Sequence, residues 1–328
     1  MSQHLVYSRP GRKKGDPSDD RALFLRNYAV ELIVAFTANV VAYDKTMKRR
    51  IESGKSASFP KLNTLSAEYH KIGNPIQGSE MIHDEVVISL DNALVSATTL
   101  PNIDEAMSSH DLRKHYAKAA GDSLSRTIER HVLTTGIQAA RNESMLPNNI
   151  KGQTIIPDQA IPGKPTVHEI IAAITESVAE FATRGVPDSD LYCFVRPSLY
   201  YQLASNELIL NKQIGGSGSI SKGIINSIAG IPILLTPNLP TGIIDHEDNP
   251  LYNCDFTKTI ALIMDKQAVG TVLLKDMNVD WQKDIKYQHD LMVTKIYIGH
   301  GILRPECALE IAVEETSDER MSMPFAPS

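Results

Sequence analysis

The run GGSGSISKG, residues 215–223, has the small residues that let a backbone wrap a phosphate. Its order is wrong for that task. Lys222 precedes Gly223, whereas a phosphate loop sets glycine before lysine and a hydroxyl residue after it. The run reads as a mobile Gly/Ser loop. His168-Glu169 and His246-Glu247 begin as a zinc-protease helix begins, but neither is followed by a histidine three residues further on. Asp245, His246, Glu247 and Asp248 either hold a divalent cation through carboxylates or form a solvated loop. Cys193, Cys254 and Cys307 are far apart, in no metal-ligand spacing and with no nucleophile signature. They read as small buried or half-buried thiols in a reducing compartment. His300, between Gly299 and Gly301, reads as a turn residue, and Trp281 as a packed strand residue. No acid, base and nucleophile converge in the sequence, and no metal set does, so no enzymatic reaction is expected.

With 328 residues, 42% hydrophobic and 22% charged, the chain can bury a real core. Its net charge of −6 excludes a nucleic-acid grip over the whole surface, which needs basic residues to neutralise phosphate. Aromatic residues at 6% leave little for base stacking. The N-terminus lacks the apolar core of a signal peptide, and no stretch is long and apolar enough for a membrane helix. A cytoplasm-like environment is expected, with no membrane partner.

Residues 1–20 are polar and charged, with Arg12 and Lys13 among them. They read either as an arm that orders against a neighbour or as a frayed terminus. The spacing of Leu25, Ala29, Leu32, Ile33 and Phe36 predicts a helix from Ala22 to Tyr43. The basic cluster Lys45, Lys48, Arg49 and Arg50 follows, either as a solvated face or as a contact to a neighbour or DNA. Residues 57–70 and 82–97 read as two long strands joined by the turn formers Gly73, Asn74, Pro75 and Gly78. Val86, Ile88 and Leu90 alternate with Val87, Ser89 and Asp91. A long two-stranded hairpin is marginal in water, so it is expected to protrude and lie on another subunit.

A long helix is predicted over 112–140, apolar at Leu112, Tyr116, Ala120, Leu124, Ile128, Val132 and Ile137. Its opposite face carries Arg113, Lys118, Arg126, Glu129 and Arg130. The Pro/Asn/Gly-rich stretch 142–165 marks a boundary. Thr166 and Glu169 form a capping box for the next helix, which stops at Gly185. Strands are predicted at 191–196, 231–236, 259–264, 271–274, 278–286, 291–298 and 308–313. A short helix opens at Pro197, and a disordered tail runs from Glu314.

This order of arm, helix, hairpin, spine helix, α+β unit and terminal strands resembles the major capsid proteins of tailed phages, the Hong Kong ninety-seven fold. The segments ALFLRNYAVELIVAF (22–36), SGKSASFPKL (53–62), AVGTVLLKD (268–276) and IGHGILRPECA (298–308) are similar to those of short-tailed phages of the T-seven group. The resemblance covers roughly residues 20–314 and is weaker over 145–265.

The resemblance implies an α+β capsid fold with five parts. An N-terminal arm and helix would take residues 1–53, and an extended β-hairpin loop 54–100. A peripheral domain with its spine helix would take 101–145 and 266–300, an axial domain 146–265 and 301–314, and a tail 315–328. Inter-subunit contact through the loop would involve Phe59, Leu62, Tyr69, Asn74, Pro75, Val86, Ile88 and Leu90. Leu112, Tyr116, Leu124, Ile128 and Val132 would pack the spine. Arg12, Lys13, Lys48, Arg49 and Arg50 would form the arm and basic cluster. The implied function is self-assembly, as hexamers and pentamers, into an icosahedral head shell in the host cytoplasm. No cofactor is implied. Scaffolding and portal proteins would guide assembly, and packaged double-stranded DNA would be touched weakly. Some relatives cross-link subunits through a Lys–Asn bond. Lys61 and Lys71 stand in the hairpin, but the short-tailed group lacks the bond and none is expected here. Alternative readings are an encapsulin-like cellular nanocompartment shell of the same fold and an enzyme on an α+β domain.

Overall fold

The computed structural model describes residues 22–62, 83–101, 111–142, 151–158, 163–205, 227–245, 249–284, 286 and 289–313. Expectations for the arm, the tip of the hairpin (Tyr69, Asn74, Pro75), the Gly/Ser run, His246-Glu247 and the tail fall outside these residues. The chain divides into two units. One comprises residues 1–40, 92–128 and 274–298; the other comprises 41–91, 129–273 and 299–328.

In the first unit, α1 (Ala22–Asn39) packs on the first half of α2 (Asp111–Arg141). Tyr28 and Leu32 meet Ala117, Ala120 and Met292 in a small apolar cluster. Asn39 ties the helices by donating its amide to Asp122 at 2.5 Å. The buried face of α1 is therefore Tyr28, Leu32 and Ala35, whereas Ile33, placed on it by the sequence pattern, is exposed. An almost uniformly apolar helix gives the 3.6-residue period little contrast, so its inward face is poorly marked. Strand β4 (Leu94–Pro101) pairs antiparallel with β13 (His289–Ile302), from Leu94 opposite Ile296 to Pro101 opposite His289. The strands predicted at 271–274 and 278–286 form one element, β12 (Val269–Asp284), in which Lys275 takes a φ of 61°. In this unit the strand order is β12-β13-β4, and β1 (Met47–Ile51) belongs to the second unit.

The second unit is built on a six-stranded sheet of order β5-β14-β11-β6-β8-β7. Its strands are β5 (Gln153–Ile155), β6 (Leu191–Val195), β7 (Ser227–Ile228), β8 (Ile231–Leu235), β11 (Thr259–Asp265) and β14 (Ala308–Ala312). β5 and β7, at the two edges, are three and two residues long. β11 pairs antiparallel with β14 and β6, whereas β6 runs parallel to β8 and β14 to β5. A side pair, β9 (Ile243–Ile244) with β10 (Cys254–Asp255), stands apart.

Helix α3 (Val167–Thr183) lays Ile170, Ile174 and Phe181 into the core of that sheet, with α4 (Pro197–Ala204) adding Leu199, Tyr200 and Leu203. The Thr166–Glu169 capping box is present in both directions, which satisfies two otherwise orphaned N–H groups. Gly185 follows the helix at φ +72°, a conformation that glycine takes without steric cost.

Candidate assembly surface

Strands β2 (Ser56–Leu62) and β3 (His83–Ser89) form an antiparallel pair with Ala57 opposite Ile88 and Phe59 opposite Val86. Residues directly opposite share a face. These four form one apolar side, which packs with Val272 and Leu303. Burying Phe59 and Ile88 contributes about 1.5–3 kcal/mol each. The other side presents Val87, 60% exposed, opposite Ser58.

Glycines make the seat possible. A Cβ on Gly299 would stand 2.1 Å from the Ser89 carbonyl, and one on Gly301 or Gly270 would collide with the Ile88 side chain. The backbone of β13 thus approaches β3 more closely than any side chain would allow. His300, between these glycines, is a buried strand residue and not a turn residue. The glycines serve contact, and the sequence offers no way to tell such glycines from turn formers.

The strand expected over 82–97 is two elements. β3 ends at Ser89 and β4 begins at Leu94, with different partners. Alternation continues across the break, and only the partner strands reveal it. At this root, Leu90 N–H donates to the Lys55 carbonyl at 2.8 Å. Tyr252 donates its hydroxyl to Asp91 Oδ2 at 2.5 Å and accepts from the His300 backbone N–H. The Tyr252 ring stacks on His131, centroids 4.0 Å apart, and His300 stands edge-on to both.

The tautomer of His300 follows from its neighbours. Thr46 spends its hydroxyl proton on the Tyr43 carbonyl, so Thr271 must donate to Thr46. His300 Nδ1 then carries the proton and donates to Thr271, 3.0 Å away. Its Nε2 is buried without a partner. Burial, with His131 nearby, lowers the His300 pKa to about 3. Burial raises Asp91 against the opposing Tyr252 bond. Burial, then the Asp91 charge, pushes the Tyr252 hydroxyl far up. The hydroxyls of Thr46, Thr271 and Tyr252 are all committed to neighbouring acceptors, which makes this a fixed polar core.

Two carboxylates point inward, and the sequence pattern puts the first of them, Glu129, on the outer face. Glu129 is buried and accepts the backbone N–H groups of Val41, Ala42 and Tyr43 at 2.8–2.9 Å. Burial raises its pKa, and those three bonds oppose the rise. Glu310, 0% exposed in β14, takes both arms of the Arg141 guanidinium at 2.6 Å, with Thr259 adding a third bond. In α2, Leu124, Ile128 and Val132 are buried, whereas Tyr116 is exposed; the Leu112 side chain lies outside the described residues.

The basic cluster lies on and beside β1. Arg49 donates to the Ser58 carbonyl and lies over the Phe59 ring, which commits it to the hairpin. Lys48 pairs with Asp44 at 2.6 Å and covers the Tyr43 ring. Lys48, Arg49 and Arg50 are all exposed. On α1, Val30, Ile33 and Val34 form an exposed apolar stripe that the sequence pattern missed. Cys193 and Cys307 are buried thiols and Cys254 a half-buried one, all free.

Comparison with known proteins gives this surface its context. A family model described as Gp10A-like major capsid protein matches residues 58–312. The major capsid protein of Escherichia phage T7 is 28% identical over 319 residues, covering 88% of this chain and 91% of that protein. That of Enterobacteria phage T3 is 27% identical, covering 93% and 96%. The capsid structure of cyanophage P-SCSP1u superposes with a TM-score of 0.76 at 30% identity, covering 95% of this chain and 99% of that one. These matches carry the expected α+β phage capsid fold, a shell of repeated subunits and a structural role in place of an enzymatic one. This chain belongs to the Gp10A-like family of phage major capsid proteins.

Proposed function

We propose that this chain closes, with further copies of itself, into an icosahedral phage head built of hexamers and pentamers. In this reading residues 54–100 lie across an adjacent copy. Residues 101–145 and 266–300 form the peripheral domain, with Leu124, Ile128 and Val132 as its packed spine, and 146–265 and 301–314 the axial domain. The observation that carries it is the two-sided hairpin. Its Phe59 and Ile88 side is seated in its own unit, and its Val87 side is left exposed. Val87 stands exposed on a two-stranded element that is marginal in water by itself, which is what a neighbouring subunit would cover.

Scaffolding and portal proteins would guide closure in the host cytoplasm. DNA would be enclosed by a shell that grips it weakly, in line with the net charge of −6. No Lys–Asn cross-link forms at Lys61 or Lys71, and denaturing gels of mature particles would show single subunits. The test is electron microscopy of the chain co-expressed with a scaffolding protein. Closed particles are expected from the wild type, and a Val87→Asp variant should unfold normally yet form few. A stable monomer with no tendency to form particles would overturn the reading.

A further inference from the structure

Arg130, on α2, and Arg196, at the N-cap of α4, line an open cavity of about 480 Å³ with Pro197, Ser198, Leu239 and Thr241. Among the described residues no carboxylate lines it. Arg196 gives one guanidinium N–H to the Pro240 carbonyl at 2.7 Å, and its Nε is buried without an acceptor. Among the described residues neither arginine has an ion pair. The first turn of α4 has no side-chain cap, so its open N–H groups add positive potential at the same end. Burial lowers the pKa of Arg196, in keeping with a charge held partly away from water.

We propose that this pocket receives a carboxylate side chain from a second copy of this chain, a proposal that rests on the shell reading above. Contacts that repeat head to tail around a ring need two different, complementary patches on each copy. Here the receiving patch is basic, while the chain as a whole has 39 acidic against 33 basic residues. A neighbour's surface therefore offers carboxylates more often than cations. The guanidinium of Arg196 is already partly desolvated in the free subunit, so less of that cost remains at association. A carboxylate on a flexible side chain enters such a cavity readily. The phosphates of a duplex are fixed to a broad rod, and the net negative charge of the chain repels that rod.

The test is cryo-electron microscopy of assembled wild-type particles, joined to assembly assays of Arg130→Gln and Arg196→Gln in the full chain. Gln at 196 ends two bonds short of the nitrogen that meets the Pro240 carbonyl, so Arg130→Gln is the variant that spares this bond. The expected map shows an Asp or Glu of a neighbouring copy within salt-bridge distance of either guanidinium. Each variant should raise the concentration needed for assembly by about tenfold or more, the worth of a charge-assisted hydrogen bond, with thermal unfolding of the free subunit unchanged for Arg130→Gln. Particles whose pocket faces solvent, holds DNA phosphate or is filled by the subunit's own chain overturn this proposal alone. A wild type that forms no particles overturns the shell reading and this proposal with it.

Discussion

Tyr252 and Asp91, 161 residues apart in sequence, are joined by a 2.5 Å hydrogen bond at the point where the hairpin returns to the body of its unit. Removing that hydroxyl strands two groups at once, the Asp91 carboxylate and the His300 backbone N–H. Tyr252→Phe is expected to cost about 1–3 kcal/mol, the penalty of leaving a half-buried acceptor unpaired. Urea unfolding of the unassembled chain would show it as a lower midpoint with unchanged slope.

His300 makes the same region sensitive to acid. Its folded pKa is lowered to about 3 from 6.5, so between those values unfolding takes up a proton. Its contribution is complete above pH 6.5 and is lost as the pH falls toward 3, by at most about 1.4 kcal/mol per pH unit. Asp91 acts in the opposite sense, because its raised pKa favours the folded state as it protonates. His300→Asn keeps a donor near the Nδ1 position and removes the titration. The difference between the wild-type and variant stability curves should therefore slope over that window and be flat above it.

Gly299 and Gly185 separate two uses of glycine. A methyl group on Gly299 meets the Ser89 carbonyl at 2.1 Å, whereas one on Gly185 meets nothing within 4 Å and strains only a φ of +72°. Gly299→Ala should cost about 3 kcal/mol and strip hydrogen-exchange protection from the amides of β3. Gly185→Ala should cost about 1 kcal/mol and leave that protection intact.

The Arg141–Glu310 pair gives a fourth kind of test. Glu310 is wholly buried, so Arg141→Met leaves its charge uncompensated and should cost about 3–5 kcal/mol. Replacing both residues by Met should recover most of that loss, because neither charge then remains to be desolvated. Unfolding of the two single variants and the double variant would measure the coupling; strict additivity would refute it.

Local signals carried the sequence reading where local physics decides the structure. The Thr166–Glu169 cap, the strands around Cys193 and Ile263, and the run of α2 needed no knowledge of partners. The sequence pattern puts Glu129 on the outer face with its charged neighbours, and nothing local marks Glu310 as buried, because a carboxylate is usually solvated. Only the loop at 41–43 and the guanidinium of Arg141, both distant in sequence, give them reason to turn inward. The break at 90–93 was hidden for a similar reason. Alternation reports which side a residue faces, not which strand lies beside it. His300 and its glycines looked like a turn because composition cannot distinguish a bend from a close approach.

The two short edges of the six-stranded sheet bear on a hazard peculiar to proteins that must meet their own kind. A long open rim of unpaired amides would let subunits stack as ribbons at the concentrations shell building requires. Among the described residues β5 is three residues long and β7 two, so that rim offers little template. Aggregation by strand addition is starved at its starting point, and encounters between copies are left to surfaces whose geometry can curve and close.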